Sequence, residues 1–258
     1  MTALAARHLS QWGLTAVVIV ATLALWQMGV VGLHVHAVVL PAPTEIVRAL
    51  ADAPVYYLVQ TWYTLLTTLA GFAGAAVIGI LLSILIVEVR VLEKTLYTLI
   101  VALNSVPKVA IAPLFVIWLG TGSQPKIAIA FLIALFAIVI DTVLGLKSVP
   151  AEMLDLAHTL HGGKLDVLWR IRLPCALPSM FAGLKVGISL ALVGAIVGEF
   201  VASDRGLGYV IMTAEGTFDT SQIFAANAML AIVGVVLFQI VSAIERKMLP
   251  WHTSQRGH

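Results

Sequence analysis

From His8 to Thr44, from Ala53 to Val87 and from Thr220 to Ile244 the chain runs without a single Asp, Glu, Lys or Arg. Each run exceeds the ~20 apolar residues that an α-helix needs to cross a bilayer core. Lipid offers no partner to backbone N–H and C=O groups, and these runs lack the alternation of a membrane barrel, so helices are the spanning element they dictate. Composition agrees: charged residues make up 11% of the chain, against roughly 25% in soluble domains. The expectation is an all-α integral membrane protein forming one domain over residues 1–258.

Apolar runs and breakers together predict six spans, at 12–33, 61–87, 95–118, 125–146, 176–202 and 222–244. The apolar stretch after Arg7 is longer than the 7–15 residues of a secretory signal core, so it reads as a retained first span. Lys and Arg accumulate on the cytoplasmic side of bacterial spans. Placing both termini inside puts Arg7, Arg90, Lys94, Lys147, Lys164, Arg170, Arg172, Arg246, Lys247 and Arg256 in the cytoplasm and only Arg48, Lys126 and Arg205 outside. The predicted location is the bacterial cytoplasmic (inner) membrane. The segment "LPAPTEIVRALAD" predicts a short external helix capped by Thr44, with Ile46, Val47 and Leu50 on one side. The lone Cys175 excludes an internal disulfide. A net charge of +2 leaves no nucleic-acid footprint.

Against this greasy background, residues 147–174 hold seven charged side chains: Lys147, Glu152, Asp155, Lys164, Asp166, Arg170 and Arg172. Pro150 suits a helix start, and Val149, Met153, Leu156 and Leu160 then form an apolar stripe opposite Glu152, Asp155 and Thr159. Gly162–Gly163 predicts the stop. A second short helix is expected from Lys164 to Ile171, ending at Leu173–Pro174. Two short helices hinged by glycine make an ordered elbow, and loops of this length are uncommon unless functional. Its competing readings are a plain connection and a docking surface for a cytoplasmic partner.

The stretch resembles the "EAA" loop of permease subunits from binding-protein-dependent ABC importers, which runs Glu-Ala-Ala, three residues, Gly, nine residues, Ile, one residue, Leu-Pro. Here Asp155, Leu156 and Ala157 take the first three places and His161 the glycine place, with Gly162 one later; Ile171, Leu173 and Pro174 match outright. "SVPKVAIAPLFVIWLGTGSQPKIAI", "GEFVASDRGLGYVI" and "LPAPTEI" resemble segments of the nitrate/sulfonate/taurine branch. The resemblance implies a six-span type I importer permease fold with a cytoplasmic coupling-helix loop. It implies a homodimer with a second copy, two ATP-binding cassette ATPase subunits below and a substrate-binding protein above. It also implies that residues 150–162 seat in the ATPase, with Glu152, Asp155, Leu156, Ala157, Leu160, His161, Gly162, Ile171, Leu173 and Pro174 as the coupling set.

No Gly-x-x-x-x-Gly-Lys-Ser/Thr phosphate loop is present; neither "GGKLD" nor "GLKSV" supplies one. The expectation is no catalytic residue and no cofactor in this chain, with ATP held by the partner ATPase. The pathway would carry a small anionic solute of the kind the branch handles.

Three polar residues are candidates for that pathway: Asn104, Lys108 and Glu199. Lys108 stands between Pro107 and Pro113, which break the span. It reads either as an anion contact or as a partner for a carboxylate or freed carbonyls. Asn104 reads as pathway-lining or as an interhelical hydrogen bonder. Glu199 reads as a gate, a helix-pairing residue or an interfacial acid. Lys185 reads as a structural snorkel and Asp141 as an interfacial cap. Gly71, Ala75 and Gly79, and again Gly183, Gly187 and Ala191, mark close helix contacts. His158 with His161, and His34 with His36, lack the further ligands a zinc site needs, so no metal is expected. Two other classes remain open to test. An integral membrane enzyme needs a catalytic cluster at a membrane face, and a stand-alone secondary transporter typically shows inverted repeats and more spans.

Overall fold

The computed structural model describes residues 2–160 and 163–250, and every ordered element among them is helical. α1 is Thr2–Gly32, α2 Pro43–Asp52, α3 Pro54–Glu88, α4 Arg90–Asn104, α5 Ala112–Leu119, α6 Ser123–Lys147, α7 Ala151–Thr159, α8 Lys164–Val167, α9 Leu173–Val201, α10 Leu207–Gly216 and α11 Thr220–Met248. Among the described residues, α3, α6, α11 and the run Lys164–Val201 are long and apolar enough to cross a membrane. A fifth candidate is the bent pair Val91–Asn104 and Lys108–Leu119. The apolar part of α1, Ala16–Gly32, has the minimum length for a span.

The centre is α6, gripped between α3 and α9. In lipid no hydrophobic drive pulls apolar helices together, so close backbone approach and dense van der Waals contact must do it. Small residues make that approach possible: Ala75, Ala130, Ala134, Ala191 and Ala195 pack with Ile138 in one buried cluster. A β-carbon on Gly71 would sit 2.6 Å from Ala130 Cβ, and one on Gly194 would sit 2.7 Å from Ala130 Cα. Gly183 and Gly187 face Asp141 and Ile138 in the same way, so both small-residue sets pack within the subunit. α3 and α6 run in parallel and α9 returns against them, which gathers Glu88, Lys147 and Arg172 at one end, here called the elbow end. On the outer side of α9, Phe181, Ile188 and Leu192 join Leu207 and Val210 of α10 and Leu230, Val233 and Leu237 of α11.

Several local expectations change. The helix from Lys164 does not stop at Leu173–Pro174: it passes through a wide turn over Leu168–Arg172, in which Leu173 N–H bonds to Leu168 C=O, and continues as α9. That wide turn resettles the ladder where Pro174 brings no N–H, so the proline sits in the first turn of α9. α2 begins at Pro43 rather than after Thr44: Glu45 reaches back to the Ala42 N–H at 2.9 Å, and Thr44 bonds with Gln27 of α1 instead. Of its apolar residues Ile46 is buried, but Val47 faces outward. Asp141 lies within α6, well before its end at Lys147, so it caps nothing.

Candidate functional site: the elbow, the broken helix and the far-end carboxylate

α6 ends at Lys147, Ser148 returns its hydroxyl to Gly145 C=O, and Pro150 starts α7 by accepting the Leu154 N–H. Of the apolar stripe expected on α7, Val149 is buried at 8%, while Met153, Leu156 and Leu160 point away from the protein, the last two 61% and 73% exposed. Among the described residues of α7, Ala157 is the buried one. Trp169 adds a further exposed ring, at 68%. Met153, Leu156, Leu160, Val167 and Ile171 line a shallow groove of about 440 Å³. Charges ring it: Glu152 and Asp155 are exposed, and Asp166 pairs with Arg170 at 3.7 Å. Leu168 and Leu173 root the elbow by packing with Leu146, Ala176 and Met180. Pro174 is exposed at the root of α9. His161 and Gly162 lie outside the described residues.

The second feature is the break between α4 and α5. The two segments meet at 86°, joined by Ser105–Pro107 and a tight turn over Lys108–Ile111. Lys108 Nζ donates to Asn104 C=O at 2.9 Å and to Asn104 Oδ1 at 2.8 Å, and it lies 4.7 Å from the centre of the Phe136 ring. A helix end leaves its last carbonyls unpaired. Lys108 therefore answers one of the carbonyls that the break sets free, which fits the second reading of its sequence position. Asn104 and Lys108 act as one polar unit.

Glu199 is 2% exposed near the end of α9. Thr64 donates its hydroxyl to Oε1 at 2.9 Å, and the Gly208 N–H donates to Oε2 at 2.7 Å. The Leu207 N–H donates to Thr64 Oγ1 at 2.8 Å and the Gly206 N–H to Gln60 Oε1 at 2.7 Å. The first N–H groups of α10 are thus satisfied by side chains of α3 and α9, and a carboxylate at a helix N-terminus meets the positive end of its dipole. Gly206 takes φ 108°, and a β-carbon there would collide with the Glu199 carboxylate. Nearby, Lys126 donates to Ser203 at 2.6 Å, and Arg205 donates to the Tyr63 hydroxyl at 2.7 Å while lying over its ring. Of the three readings of Glu199, this geometry fits helix pairing: it ties α3, α9 and α10 together.

A buried helix core with an exposed, charge-rimmed elbow at one end invites comparison with known transporters. Residues 56–250 match the family model described as "Binding-protein-dependent transport system inner membrane component". The chain belongs to that family. It is 35% identical to the riboflavin transport system permease protein of Chloroflexus aurantiacus, over 92% of this chain and 90% of that one. It is 31% identical to the putative aliphatic sulfonates transport permease protein of Bacillus subtilis, over 91% of this chain and 86% of that one. A chain of the MetNI methionine ABC transporter in an inward-facing conformation superposes with a TM-score of 0.67 at 16% identity, covering 76% of the permease and 97% of that chain. The relatives are transport permeases, and the fold is that of an ABC importer permease, multi-pass and all-helical.

Several residues that hold the permease together were not singled out in its sequence. Gln60 and Thr64 belong to a polar row on α3, at spacing four with Thr68, inside an otherwise apolar helix. That row was the available signal, because polar side chains on a membrane helix turn toward protein rather than lipid. Lys126, expected on the outer side at the start of the fourth span, is buried in the first turn of α6. Lys185 does not snorkel alone: it meets Glu245 of α11 at 2.8 Å.

Proposed function

We propose that the permease is the membrane subunit of an ATP-driven importer that works as a pair of copies, with two ATP-binding cassette subunits at the elbow end and a substrate-binding protein at the far end. The observation that carries this is the exposed apolar stripe Met153, Leu156 and Leu160 on a short ordered helix whose surroundings are charged. A contiguous apolar patch with a polar rim marks a protein interface. The elbow end also holds Arg90, Lys94, Lys164, Arg170, Arg172, Arg246 and Lys247, which supports a cytoplasmic placement of that end and of both termini.

In this reading ATP is bound and hydrolysed by the partner, and the permease contributes no catalytic group. The coupling set is Glu152, Asp155, Leu156, Ala157, Leu160, His161, Gly162, Ile171, Leu173 and Pro174. Asn104 and Lys108 line the pathway at the break, and Glu199 braces the far-end helices around it. The solute is small and delivered by the binding protein. Its anionic character is carried over from the branch the sequence resembles; within the chain the supporting cation is Lys108, whose ammonium already has two acceptors on Asn104. The deciding experiment is co-expression with candidate ATP-binding cassette ATPases from the same genome, followed by affinity purification. Native permease is expected to bring the ATPase with it, whereas Leu156→Glu/Leu160→Glu and Asp155→Lys are expected to insert in the membrane and lose it. Retention of the ATPase by these variants would refute the docking role.

A further inference from the structure

Each root of the elbow carries a cation, and each of these cations meets an acid on the same neighbouring corner. Lys147, the last residue of α6, places Nζ 2.8 Å from Glu93 Oε1. Arg172, the last residue before α9, places NH1 3.7 Å from Glu88 Oε1. Glu88 ends α3 and Glu93 lies in the first turn of α4, so the two acids flank Val89, the single residue that joins those helices. Between corner and elbow opens a groove of about 1030 Å³, with Val87 and Val89 on one wall and Leu154, Lys164 and Val167 on the other. The ion pairs flank a small apolar contact, in which Val87 joins Leu146, Leu168 and Leu173, and they extend it to both roots.

The corner leads to the most irregular part of the pathway. α4 is anchored on α6 through Leu96 and Ile100, which pack with Ile86, Phe136, Val139 and Val143. It then runs directly into the break at Asn104 and Lys108. The side chains of both ion pairs are partly exposed, and exposed pairs add little to stability. Their placement is what distinguishes them: one at each root, both on one corner. Coupling between distant parts of a protein is carried by stiff elements with defined joints between them.

We infer that Lys147–Glu93 and Arg172–Glu88 are the joint through which displacement of the elbow reaches α4 and the broken helix beyond it. The four side chains are positioning residues; they touch neither solute nor nucleotide. The inference rests on the elbow being where force enters, as proposed above. When the elbow is drawn, the α3–α4 corner travels with it, and the Asn104–Lys108 unit is carried at the end of α4.

The test uses full-length permease in nanodiscs together with the ATPase that co-purifies. Nitroxide labels on Leu99→Cys in α4 and Leu165→Cys in α8, both exposed positions, report the distance across the joint in a Cys175→Ser background. The native pairs should give one narrow distance distribution that ATP with vanadate leaves in place. Glu88→Gln/Glu93→Gln should lose the narrow distribution, and exchange of charges in both pairs (Glu93→Lys/Lys147→Glu with Glu88→Arg/Arg172→Glu) should restore it. Neutral variants indistinguishable from native, or an exchanged permease no narrower than the neutral one, would overturn the joint. Should the neutral variant fail to fold, the exchanged permease is read against native directly, and a broad distribution overturns the joint. If no ATPase co-purifies with the native permease, the coupling role falls, while the nucleotide-free comparison still decides the joint.

Discussion

Glu199 shows how a single buried carboxylate can organise the far end of a membrane protein. Its oxygens receive a hydroxyl from α3 and an N–H from α10 while its own backbone belongs to α9. Glu199→Ala leaves the Gly208 N–H without its acceptor in a buried place, and an orphaned buried donor costs about 1–3 kcal/mol. Glu199→Gln keeps an acceptor oxygen and should cost less than the alanine change. Thermal unfolding of the purified variants is expected to rank native above Gln above Ala; equal midpoints for native and Ala would contradict the bracing role. Gly206→Ala should fall below native in the same assay, since it adds backbone strain at φ 108° to a clash with the carboxylate. The partners of Glu199 were hidden because Thr64 lies 135 residues away and the Gly208 N–H is turned back onto it only by the bend into α10. Lys108 was more legible: two prolines announce freed carbonyls locally, and the lysine found one four residues back. Long-range polar closure is a property of the packed helices; the polar row on α3 marks one side of it, and no local pattern names the partner.

At the scale of elements, the α3–α6–α9 core depends on backbones lying closer than side chains normally permit. A β-carbon on Gly194 would already stand 2.7 Å from Ala130 Cα and 3.0 Å from Ile129 C=O, neither of which can move aside. Gly194→Val should force α6 and α9 apart, and overpacking of this kind costs about 1–3 kcal/mol or more. Gly234→Ala is the control, because its nearest neighbour is the flexible end of Leu192 at 3.3 Å. The expected outcome is a lowered unfolding midpoint and more aggregation for Gly194→Val, with Gly234→Ala close to native. The small-residue rows and the apolar runs were readable because both are local periodicities on one helix. The continuity of the helix from Lys164 through α9 was not: Pro174 is a stop signal in isolation, and a wide turn just before it lets the helix pass. The α2 start moved for a similar reason, since Thr44 was claimed by Gln27 of α1 before it could cap its own helix. The stripe of α7 is legible in the sequence, but the burial of Val149 and Ala157 is what turns Met153, Leu156 and Leu160 outward.

For the whole molecule the decisive question is what covers the broken helix. α5 has eight residues, and at 1.5 Å per residue it is ~12 Å long, well short of a ~30 Å hydrocarbon core. Irregular backbone at membrane depth is tolerated only where protein or a water-filled cavity meets it. Val106, Val109, Ile117 and Trp118 at the break are nonetheless exposed, so the proposed assembly predicts that they meet either a second copy or the solute path rather than lipid. Val77 is also well exposed but lies on the regular helix α3, on the side turned away from α6, where lipid is an adequate neighbour. In a Cys175→Ser background, Ile117→Cys is expected to form a disulfide between copies on mild oxidation, or else to react with a water-soluble maleimide. Val77→Cys should do neither. The two positions have closely similar exposure, 75% and 60%, so a difference between them reports surroundings rather than accessibility within the subunit. Unreactive cysteines at both positions would count against a second copy or a solute path at the break, and the pathway role of Asn104 and Lys108 would have to be abandoned.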